Sequence, residues 1–387
     1  MRIDPRLDDF LEAQGLGRHR PETAKELNGR NANFLVVTTT DTPVFVKRIA
    51  TGSRDAAERH AACVAFEELR REDPAIQRTL GTAPLLASDA DLGFLAYVAL
   101  PGSTSLAELG RQPKDDADAD EGDAGTRDPE DFAEDLGRLL AAVHALDPAG
   151  VPPRAEAPRL PPIQPLDHLT WESYQNLTAP CLRIWNRLQN DPDAAGTLRA
   201  LRADEAYAVE QHPVAIHGDV RLDQFLLDRE GRLRLIDLEE FRLGDPARDV
   251  GSMVGEWLHR ATLDLVGEQD AVAAVADLEL THDEVVANGA AALDRRRPVI
   301  QRFFEAYRTS CGPDAAWVDD PAFVDRVTRF AGWHMFDRLI AVAEHTSRVS
   351  ALHWAAAGIG RQALLAPRAA APALGLPDHS DQRKAAA

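Results

Sequence analysis

The chain has 387 residues, of which 44% are hydrophobic, and this is typical of a globular protein large enough for two lobes. Its formal net charge of −20 argues against nucleic acid and anionic membranes as partners, because both bind basic surfaces. No apolar run reaches the roughly 18 residues of a membrane span, and the first residues, MRIDPRLDDF, lack the apolar segment of a signal peptide, so a cytoplasmic location is expected.

The first predicted elements are two strands. Residues Asn33 to Thr39 and Pro43 to Ile49 are rich in β-branched side chains and are separated by a short polar turn, which predicts a β-hairpin. Lys47 lies inside the second strand, in the sequence VFVKR. The polar sequence NGRN, residues Asn28 to Asn31, precedes the hairpin and by itself indicates only a turn.

A helix is predicted next, from Arg54 to Glu72. The apolar residues that follow Glu58 at the spacing of one helical face are Ala62, Ala65, Phe66 and Leu69. A carboxylate on that face needs a cationic partner, unless it lies at the end of the apolar stripe and reaches water. After the helix, Gly93 to Leu100 predicts another strand, which a Pro-Gly turn ends.

An acidic segment separates this region from the rest of the chain. Residues 115–135 read DDADADEGDAGTRDPEDFAED, a composition that stays solvated until it passes into the helix that carries Leu136 to His144. Two interpretations remain open. The segment either keeps the protein soluble or attracts a cationic acceptor, such as an aminosugar or a basic peptide.

The sequence from Gln224 to Leu238 predicts a tight hairpin with its turn at residues 229–231. If its two strands pair symmetrically about that turn, Gln224 lies opposite Ile236 and next to Asp237. A carboxylate beside a carboxamide suits Mg²⁺, which takes one or two protein oxygens and completes its shell with water and phosphate oxygens. The hairpin therefore predicts a magnesium site.

Three motifs follow one another here: HGD at 217–219, the hairpin aspartate, and GDPARD at 244–249. Together they resemble the catalytic half of the aminoglycoside phosphotransferase and choline kinase superfamily. The resemblance implies that Asp219 orients the acceptor hydroxyl, that Asp237 is the main metal ligand, and that Arg221 faces the transferred phosphoryl group. His217 is assigned to the same catalytic loop. Helix capping alone would also explain Asp245 and Pro246.

Gln224 departs from the family pattern, which usually has Asn at this position. The extra methylene displaces the amide oxygen. Either the loop shifts to compensate, so that Gln224 still ligates metal, or the second metal ion is held poorly.

The resemblance also assigns nucleotide binding to the first hundred residues. A strand lysine would bind phosphate and pair with a helix glutamate, the NGRN loop would cover the phosphates, and the strand ending at residue 100 would receive adenine through its backbone. The residues assigned in this way are Lys47, Glu58, Gly29, Arg30, Asn31, Tyr97 and Leu100.

The implied fold is α+β, two-lobed and protein kinase-like, with a small antiparallel-sheet N-lobe and a larger, mainly helical C-lobe. The expected boundaries are 1–100 for the nucleotide-binding lobe, 101–367 for the catalytic and acceptor-binding lobe with its acidic insert at 111–130, and 368–387 for a flexible tail. Apolar residues at helical spacing predict helices over Trp171 to Leu188, Arg297 to Tyr307 and Val324 to Glu344.

Within the superfamily, the combination of NGRN, VFVKR, HGDVRLDQF and DLEEFRLGDPARDVG resembles the phosphotransferase subunits of class V lanthipeptide synthetases. This implies ATP- and Mg²⁺-dependent phosphorylation of Ser and Thr in a ribosomally made precursor peptide, with a separate lyase as partner. Two alternatives remain open. One is a small-molecule kinase for an aminoglycoside, macrolide, choline or sugar hydroxyl, and the other is a pseudokinase scaffold with an incomplete metal site.

Overall fold

The computed structural model of the protein describes residues 4–27, 31–109, 128–155, 160–263, 282–313 and 315–378. Its N-terminal part is built on an antiparallel sheet and its C-terminal part is mainly helical. The predicted α+β, two-lobed fold is therefore confirmed. None of the described helices is long and apolar enough to cross a membrane.

The N-lobe sheet has five strands in the order β1-β2-β3-β5-β4. The strands are β1 (Lys25–Leu27), β2 (Ala32–Val37), β3 (Pro43–Arg48), β4 (Leu85–Asp89) and β5 (Phe94–Val98). The helices are α1 (Arg6–Ala13), α2 (Ala56–Glu72) and α3 (Pro74–Thr79). The predicted β2–β3 hairpin and the predicted helix are thus confirmed.

The two faces of β3 contact different parts of the molecule. Val44 and Val46 are buried against Leu7 and Phe10 of α1 in a small core of their own. Since side chains alternate along a strand, Lys47 points to the opposite face, where α2 and the C-lobe lie. The alternation of the sequence VFVKR therefore carries the lysine into the cleft between the lobes.

The C-lobe consists of helices around two small antiparallel ladders, β10-β7 and β6-β8-β9. Its strands are β6 (Thr104–Ser105), β7 (Val214–Ile216), β8 (Phe225–Leu227), β9 (Leu233–Leu235) and β10 (Arg242–Gly244). Its helices are α4 (Leu106–Leu109), α5 (Ala133–His144), α6 (Gln164–Asp167), α7 (Trp171–Asn176), α8 (Ala179–Gln189), α9 (Pro192–Gln211), α10 (Pro246–Leu263), α11 (His282–Ser310), α12 (Pro321–His345), α13 (Ala351–Leu365) and α14 (Pro367–Ala373). Aromatic side chains such as Trp257, Phe303 and Phe330 fill the core between α10, α11 and α12.

The hairpin β8–β9 has the predicted register. The Asp228 amide donates to the Arg232 carbonyl at 3.0 Å, and the Ile236 amide donates to the Gln224 carbonyl at 3.0 Å. Asp237 therefore lies directly after the end of the ladder, beside Gln224, as symmetric pairing about the turn requires.

Two predictions about the helices are wrong. The expected single helix over 171–188 is broken after Asn176, because Thr178 accepts the Cys181 amide at 3.2 Å and Pro180 has no amide hydrogen to continue a helix. The tail expected to be flexible from residue 368 begins as α14. Leu374 and Leu376 beyond it are buried, so packing holds this segment.

The acidic insert falls mostly outside the described residues, which resume at Asp128. There, Asp128 and Asp131 form a reciprocal capping box just before α5. The last residues of the expected tail, 379–387, also lie outside the described part of the chain.

Candidate active site

The loop from His217 to Gln224 joins β7 to β8, and its second residue must be glycine. Gly218 has a φ of 84°, in the left-handed region. A Cβ at this position would collide with the Arg242 guanidinium and the Glu240 carbonyl. Both the backbone conformation and the close packing therefore require glycine at the second position of the HGD motif.

Asp249, in the first turn of α10, holds the start of this loop. Its carboxylate accepts the His217 amide at 2.7 Å and the Gly218 amide at 2.9 Å, and His144 lies 3.3 Å away. The side chain is fully buried. Burial opposes ionisation, but the hydrogen bonds and the neighbouring histidines outweigh it, so the pKa of Asp249 is lowered.

His217 is buried, and both of its ring nitrogens contact backbone groups. Nε2 lies 3.0 Å from the Ile236 carbonyl, and Nδ1 accepts the Asp219 amide at 3.3 Å. The ring therefore carries its hydrogen on Nε2 and connects the loop to the hairpin. In this arrangement the ring positions the loop, and the assignment of His217 as a catalytic residue stays a prediction.

Asp219 is the carboxylate that the loop presents to the cleft, with 37% of its side chain exposed. Arg221 Nη1 donates to both of its oxygens at 3.0 and 3.2 Å, and Arg221 Nε donates to Asp223 at 2.9 Å. Desolvation raises the pKa of Asp219, and the charge of Arg221 offsets only part of this effect. The structure thus brings together the two residues that were predicted to handle the acceptor and the transferred group.

Asp237 follows β9 with a φ of 65°, a left-handed conformation that Asp tolerates better than most residues. Its carboxylate forms an ion pair with Lys47 Nζ. Burial alone would raise the pKa of Asp237, but Lys47 and other nearby cations lower it, so the group is a stable anion.

These residues fit a hard divalent cation. Asp237 offers an anionic oxygen. Gln224, whose side chain ends in an amide, lies beside Asp237 at the end of the β8–β9 ladder. The described residues contain no group of three or more His, Cys, Asp or Glu side chains around one point. A sparse oxygen donor set suits Mg²⁺, which keeps water and phosphate ligands. Ligation by Gln224 itself stays a prediction.

Lys47 is buried and is held by two carboxylates, Asp237 and Glu239, the second at 2.5 Å. Burial lowers the pKa of a lysine, but these two anions outweigh burial and raise the pKa of Lys47. The predicted pairing with Glu58 is wrong. Glu58 accepts the Ala155 amide at 3.0 Å and lies 4.0 Å from Arg154 Nε.

The rotation of α2 explains this correction. Its buried stripe runs through Arg59, Cys63, Phe66 and Arg70. One residue corresponds to about 100° around a helix, so a stripe that includes Arg59 turns Glu58 toward the edge, where 23% of its side chain is exposed. The apolar pattern was compatible with both rotations.

The contacts between Glu239, Lys47 and Arg59 were not predicted from the sequence. Glu239 binds Lys47 and also Arg59 Nη2, at 2.6 Å. The only trace of this in the sequence is the acid pair in DLEEF and an arginine beside Glu58. Neither is specific, because the contact joins residues 180 positions apart.

The predicted nucleotide-binding segments are described in part. Gly29 and Arg30 lie outside the described residues, while Asn31 donates to Glu239 at 2.6 Å. The Tyr97 side chain is hydrogen bonded to Cys63, and Tyr97 lies in β5 between Phe45 of β3 and Leu85 of β4. The Leu100 carbonyl accepts the Ser103 amide at 3.2 Å. Adenine binding at Tyr97 and Leu100 stays a prediction.

A model of the phosphotransferase enzyme family matches residues 23–287, a range that includes Lys47, the catalytic loop and the metal-site aspartate. The chain belongs to this family. It is therefore an enzyme, a phosphotransferase with a hydroxyl group as acceptor.

Three solved structures with a similar fold are distant in sequence. Amicoumacin kinase hAmiN, in complex with AMP-PNP, Ca²⁺ and Ami, is 12% identical, with 94% of this chain and 93% of that chain covered and a TM-score of 0.48. A spectinomycin phosphotransferase in complex with ADP and spectinomycin is 11% identical, with coverage of 95% and 99% and a TM-score of 0.47. Choline kinase LicA from Streptococcus pneumoniae is 12% identical, with coverage of 88% and 92% and a TM-score of 0.42. Likeness at this level says nothing about the substrate of this phosphotransferase. No curated protein matches the chain.

A cavity of about 620 Å³ adjoins the catalytic loop of the phosphotransferase at Asp223. The charged residues of its wall are Glu108, Asp223, Glu256, Arg260 and Arg338. Glu256 accepts the Leu222 amide at 3.3 Å and pairs with His334 at 2.7 Å. Burial opposes this charge, but His334 and Arg338 outweigh burial and lower the pKa of Glu256 to about 2. The wall therefore combines charges of both signs.

Proposed function

We propose that this phosphotransferase uses ATP and Mg²⁺ to phosphorylate Ser and Thr side chains of a ribosomally synthesised precursor peptide. The observation that supports transfer is the placement of Asp219, partly exposed and bound by Arg221, on the same loop and hairpin unit as Asp237, which pairs with Lys47 of the N-lobe. A base, a metal ligand and a phosphate-binding cation are the parts that such a transfer needs.

Each residue has a distinct task in this scheme. Mg²⁺, when bound, neutralises charge on the phosphates, and Asp237 with Gln224 would hold it. Lys47 binds phosphate oxygens. Asp219 accepts a hydrogen bond from the acceptor hydroxyl and takes its proton as the new P–O bond forms, while Arg221 Nη1 faces the negative charge that builds nearby.

The cavity beside the loop supports a peptide as the acceptor. Of its three carboxylates, Asp223 is engaged by Arg221 and Glu256 by His334. Two arginines, Arg260 and Arg338, add positive charge to the wall. Arg338 is in turn paired with Asp337 at 2.7 Å, so the wall offers no excess of carboxylates free to bind a polycation, whereas a peptide brings neutral amides and can match charges of either sign. The resemblance to class V lanthipeptide kinases points the same way.

A lyase that removes the phosphate would complete the dehydration of Ser and Thr, and we propose that it docks on the helical lobe. Trp171 and Tyr174 of α7 stack on each other at 5.9 Å, with 72% and 52% of their surfaces exposed. Exposed aromatic groups of this size are common at sites of protein association.

The decisive experiment follows mass after incubation with ATP and Mg²⁺. The purified chain is incubated with either the cognate precursor peptide or an aminoglycoside panel, with and without the proposed lyase. Asp219→Asn serves as the inactive control. Phosphate on the peptide, or loss of water once the lyase is added, is the expected result. A phosphorylated aminoglycoside with unmodified peptide would replace the proposal with a small-molecule kinase, and nucleotide binding without any transfer would replace it with a scaffold.

A further inference from the structure

The contacts of Glu239 suggest a role that depends on the proposed phosphoryl transfer but is separate from the acceptor. Its two carboxylate oxygens face different parts of the N-lobe. Oε2 accepts from Lys47 Nζ at 2.5 Å and from Asn31 Nδ2 at 2.6 Å, and Oε1 accepts from Arg59 Nη2 at 2.6 Å. Arg59 also donates to Asn31 Oδ1 at 2.9 Å.

This network is buried and balanced in charge. Lys47, Arg59 and Glu239 each have less than a tenth of their side chains exposed. With Asp237, the group contains two cations and two carboxylates, so every buried charge has an opposite charge beside it. Buried ions are tolerated only under this condition, and removal of one partner leaves the other uncompensated.

The position of Glu239 is fixed independently of Lys47. Its backbone carbonyl accepts from Arg154 Nη1 at 2.5 Å, and its side chain is held by α2 through Arg59. Asp237, in contrast, is the residue assigned to the metal, and a bound cation would compete with Lys47 for its carboxylate. Lys47 then needs a second anion that stays in place.

We propose that Glu239, supported by Arg59, is the positioning residue of Lys47, in place of the carboxylate of α2. The same carboxylate also accepts from Asn31, so one side chain of the C-lobe holds two side chains of the N-lobe beside each other. Glu58, one residue away from Arg59, accepts the Ala155 amide and lies near Arg154.

The test compares the full-length variants Glu239→Gln, Arg59→Met and Arg59→Lys with two controls. Glu58→Gln tests the alternative anchor. Glu67→Gln removes a buried carboxylate of the same helix, whose partner is Arg70 at 2.9 Å, and so reports on stability alone. Affinity for a fluorescent ATP analogue is measured with Mg²⁺ and with EDTA, together with kcat, KM for ATP and Tm.

Glu239→Gln and Arg59→Met are each expected to weaken nucleotide binding by roughly 10- to 100-fold, the range typical of residues that orient a binding group. The loss should be similar with and without metal, and the double variant should lose little more than either single one, because both changes act on one contact. Arg59→Lys should recover part of the affinity. Glu67→Gln should bind nucleotide within about twofold of the wild type, and Glu58→Gln should lose less affinity than Glu239→Gln, because neither carboxylate pairs with Lys47.

Three results would overturn the inference. One is a loss in Glu58→Gln equal to that in Glu239→Gln. Another is a loss in Glu239→Gln that disappears in EDTA, which would make Glu239 a metal ligand instead. The third is unchanged affinity in Arg59→Met. A wild-type chain that binds no nucleotide would instead refute the proposed function, and the wild-type measurement alone distinguishes that outcome.

Discussion

Asp219 and Asp237 are two carboxylates of one cleft whose pKa values shift in opposite directions. Burial raises both, but Lys47 forms an ion pair with Asp237, whereas Arg221 offsets only part of the effect at Asp219. The first group is thereby prepared to take up a proton, and the second remains an anion that can hold a cation. Opposite shifts in neighbouring acids are how a site separates a base from a metal ligand.

Replacement of the base is the most direct test at this scale. Asp219→Asn should leave nucleotide affinity nearly intact while kcat falls by roughly 10² to 10⁴, because the amide cannot accept the hydroxyl proton. Single-turnover transfer and equilibrium nucleotide binding are measured on the same preparation. Transfer at the wild-type rate would show that Asp219 is not the base.

The raised pKa of Asp219 has a consequence for the pH profile. Only the deprotonated carboxylate accepts the hydroxyl proton, so kcat/KM should fall as pH falls through a pKa above the ordinary aspartate range. The charge of Arg221 lowers this pKa, and Arg221→Met should therefore move the acidic limb to higher pH, whatever happens to the plateau rate. Arg221→Lys keeps the charge and should leave the limb close to that of the wild type. An identical limb in the Met variant would contradict the assignment.

The Gln224 side chain can be tested against the family's usual Asn. The Gln224 backbone is fixed by hydrogen bonds to Arg221 and Ile236, both at 3.0 Å, so the shorter Asn would withdraw the amide oxygen by about 1.5 Å, the length of one C–C bond. We expect Gln224→Asn to lower kcat and to raise the Mg²⁺ concentration needed for half-maximal rate. Higher activity would mark Gln224 as a degenerate Asn, and an unchanged Mg²⁺ titration would show that it does not ligate metal.

At the scale of elements, the loop from His217 to Gln224 is held by α10 as well as by its own residues. The helix places Asp249 under the loop, where it accepts two consecutive backbone amides. Acidic residues are favoured in a first helical turn in any case, so the position of Asp249 in α10 does not by itself assign it to the loop. The structure shows that its main contacts are with the loop.

Asp249→Asn should therefore affect stability and rate together. An amide group has one acceptor oxygen in place of two, so one buried amide hydrogen is left without a partner, at a cost of roughly 1–3 kcal/mol in the free energy of unfolding. Urea denaturation measures this change, and kcat should fall because the loop shifts. Asp73→Asn, at the exposed N-cap of α3, is the matched control and should change little, since Asn caps as well as Asp. Equal stability of the Asp249 variant and the wild type would disprove the bracing role.

At the scale of the whole molecule, ion pairs connect the two lobes. Lys47 comes from the N-lobe sheet and Arg59 from α2, while their partners Asp237 and Glu239 follow the C-lobe hairpin. The residues assigned to phosphate and metal binding, Lys47 and Asp237, therefore also form the contact between the lobes. Binding at this site should stabilise the molecule as a whole.

A thermal shift experiment examines this link. In the wild type, an ATP analogue with Mg²⁺ at about 100 times its Kd should add roughly 2.7 kcal/mol to the free energy of unfolding and raise Tm accordingly. In Asp237→Ala the Mg²⁺-dependent part of that increase should vanish, because the metal bridges the protein and the phosphates. The increase with nucleotide and EDTA is the internal reference. An undiminished Mg²⁺ effect in the variant would move the metal site elsewhere.

Local patterns in the sequence determined much of the fold and half of the site. Strand alternation and turn residues set the β2–β3 hairpin and the register of β8–β9, which brings Gln224 beside Asp237. These features depend on residues close together in the chain, whose geometry is fixed by the two-residue period of a strand.

Only the tertiary structure decided which face of α2 is buried and which carboxylate holds Lys47. The apolar pattern of α2 was compatible with a rotation that buries Glu58 and with one that buries Arg59. The choice depends on whether an oppositely charged side chain lies across the cleft. That partner, Glu239, is distant in sequence, and the energy of a buried ion pair depends on a geometry that no local pattern contains. The contacts of His217 also depend on the folded structure, because its two ring nitrogens contact backbone groups of the loop and the hairpin.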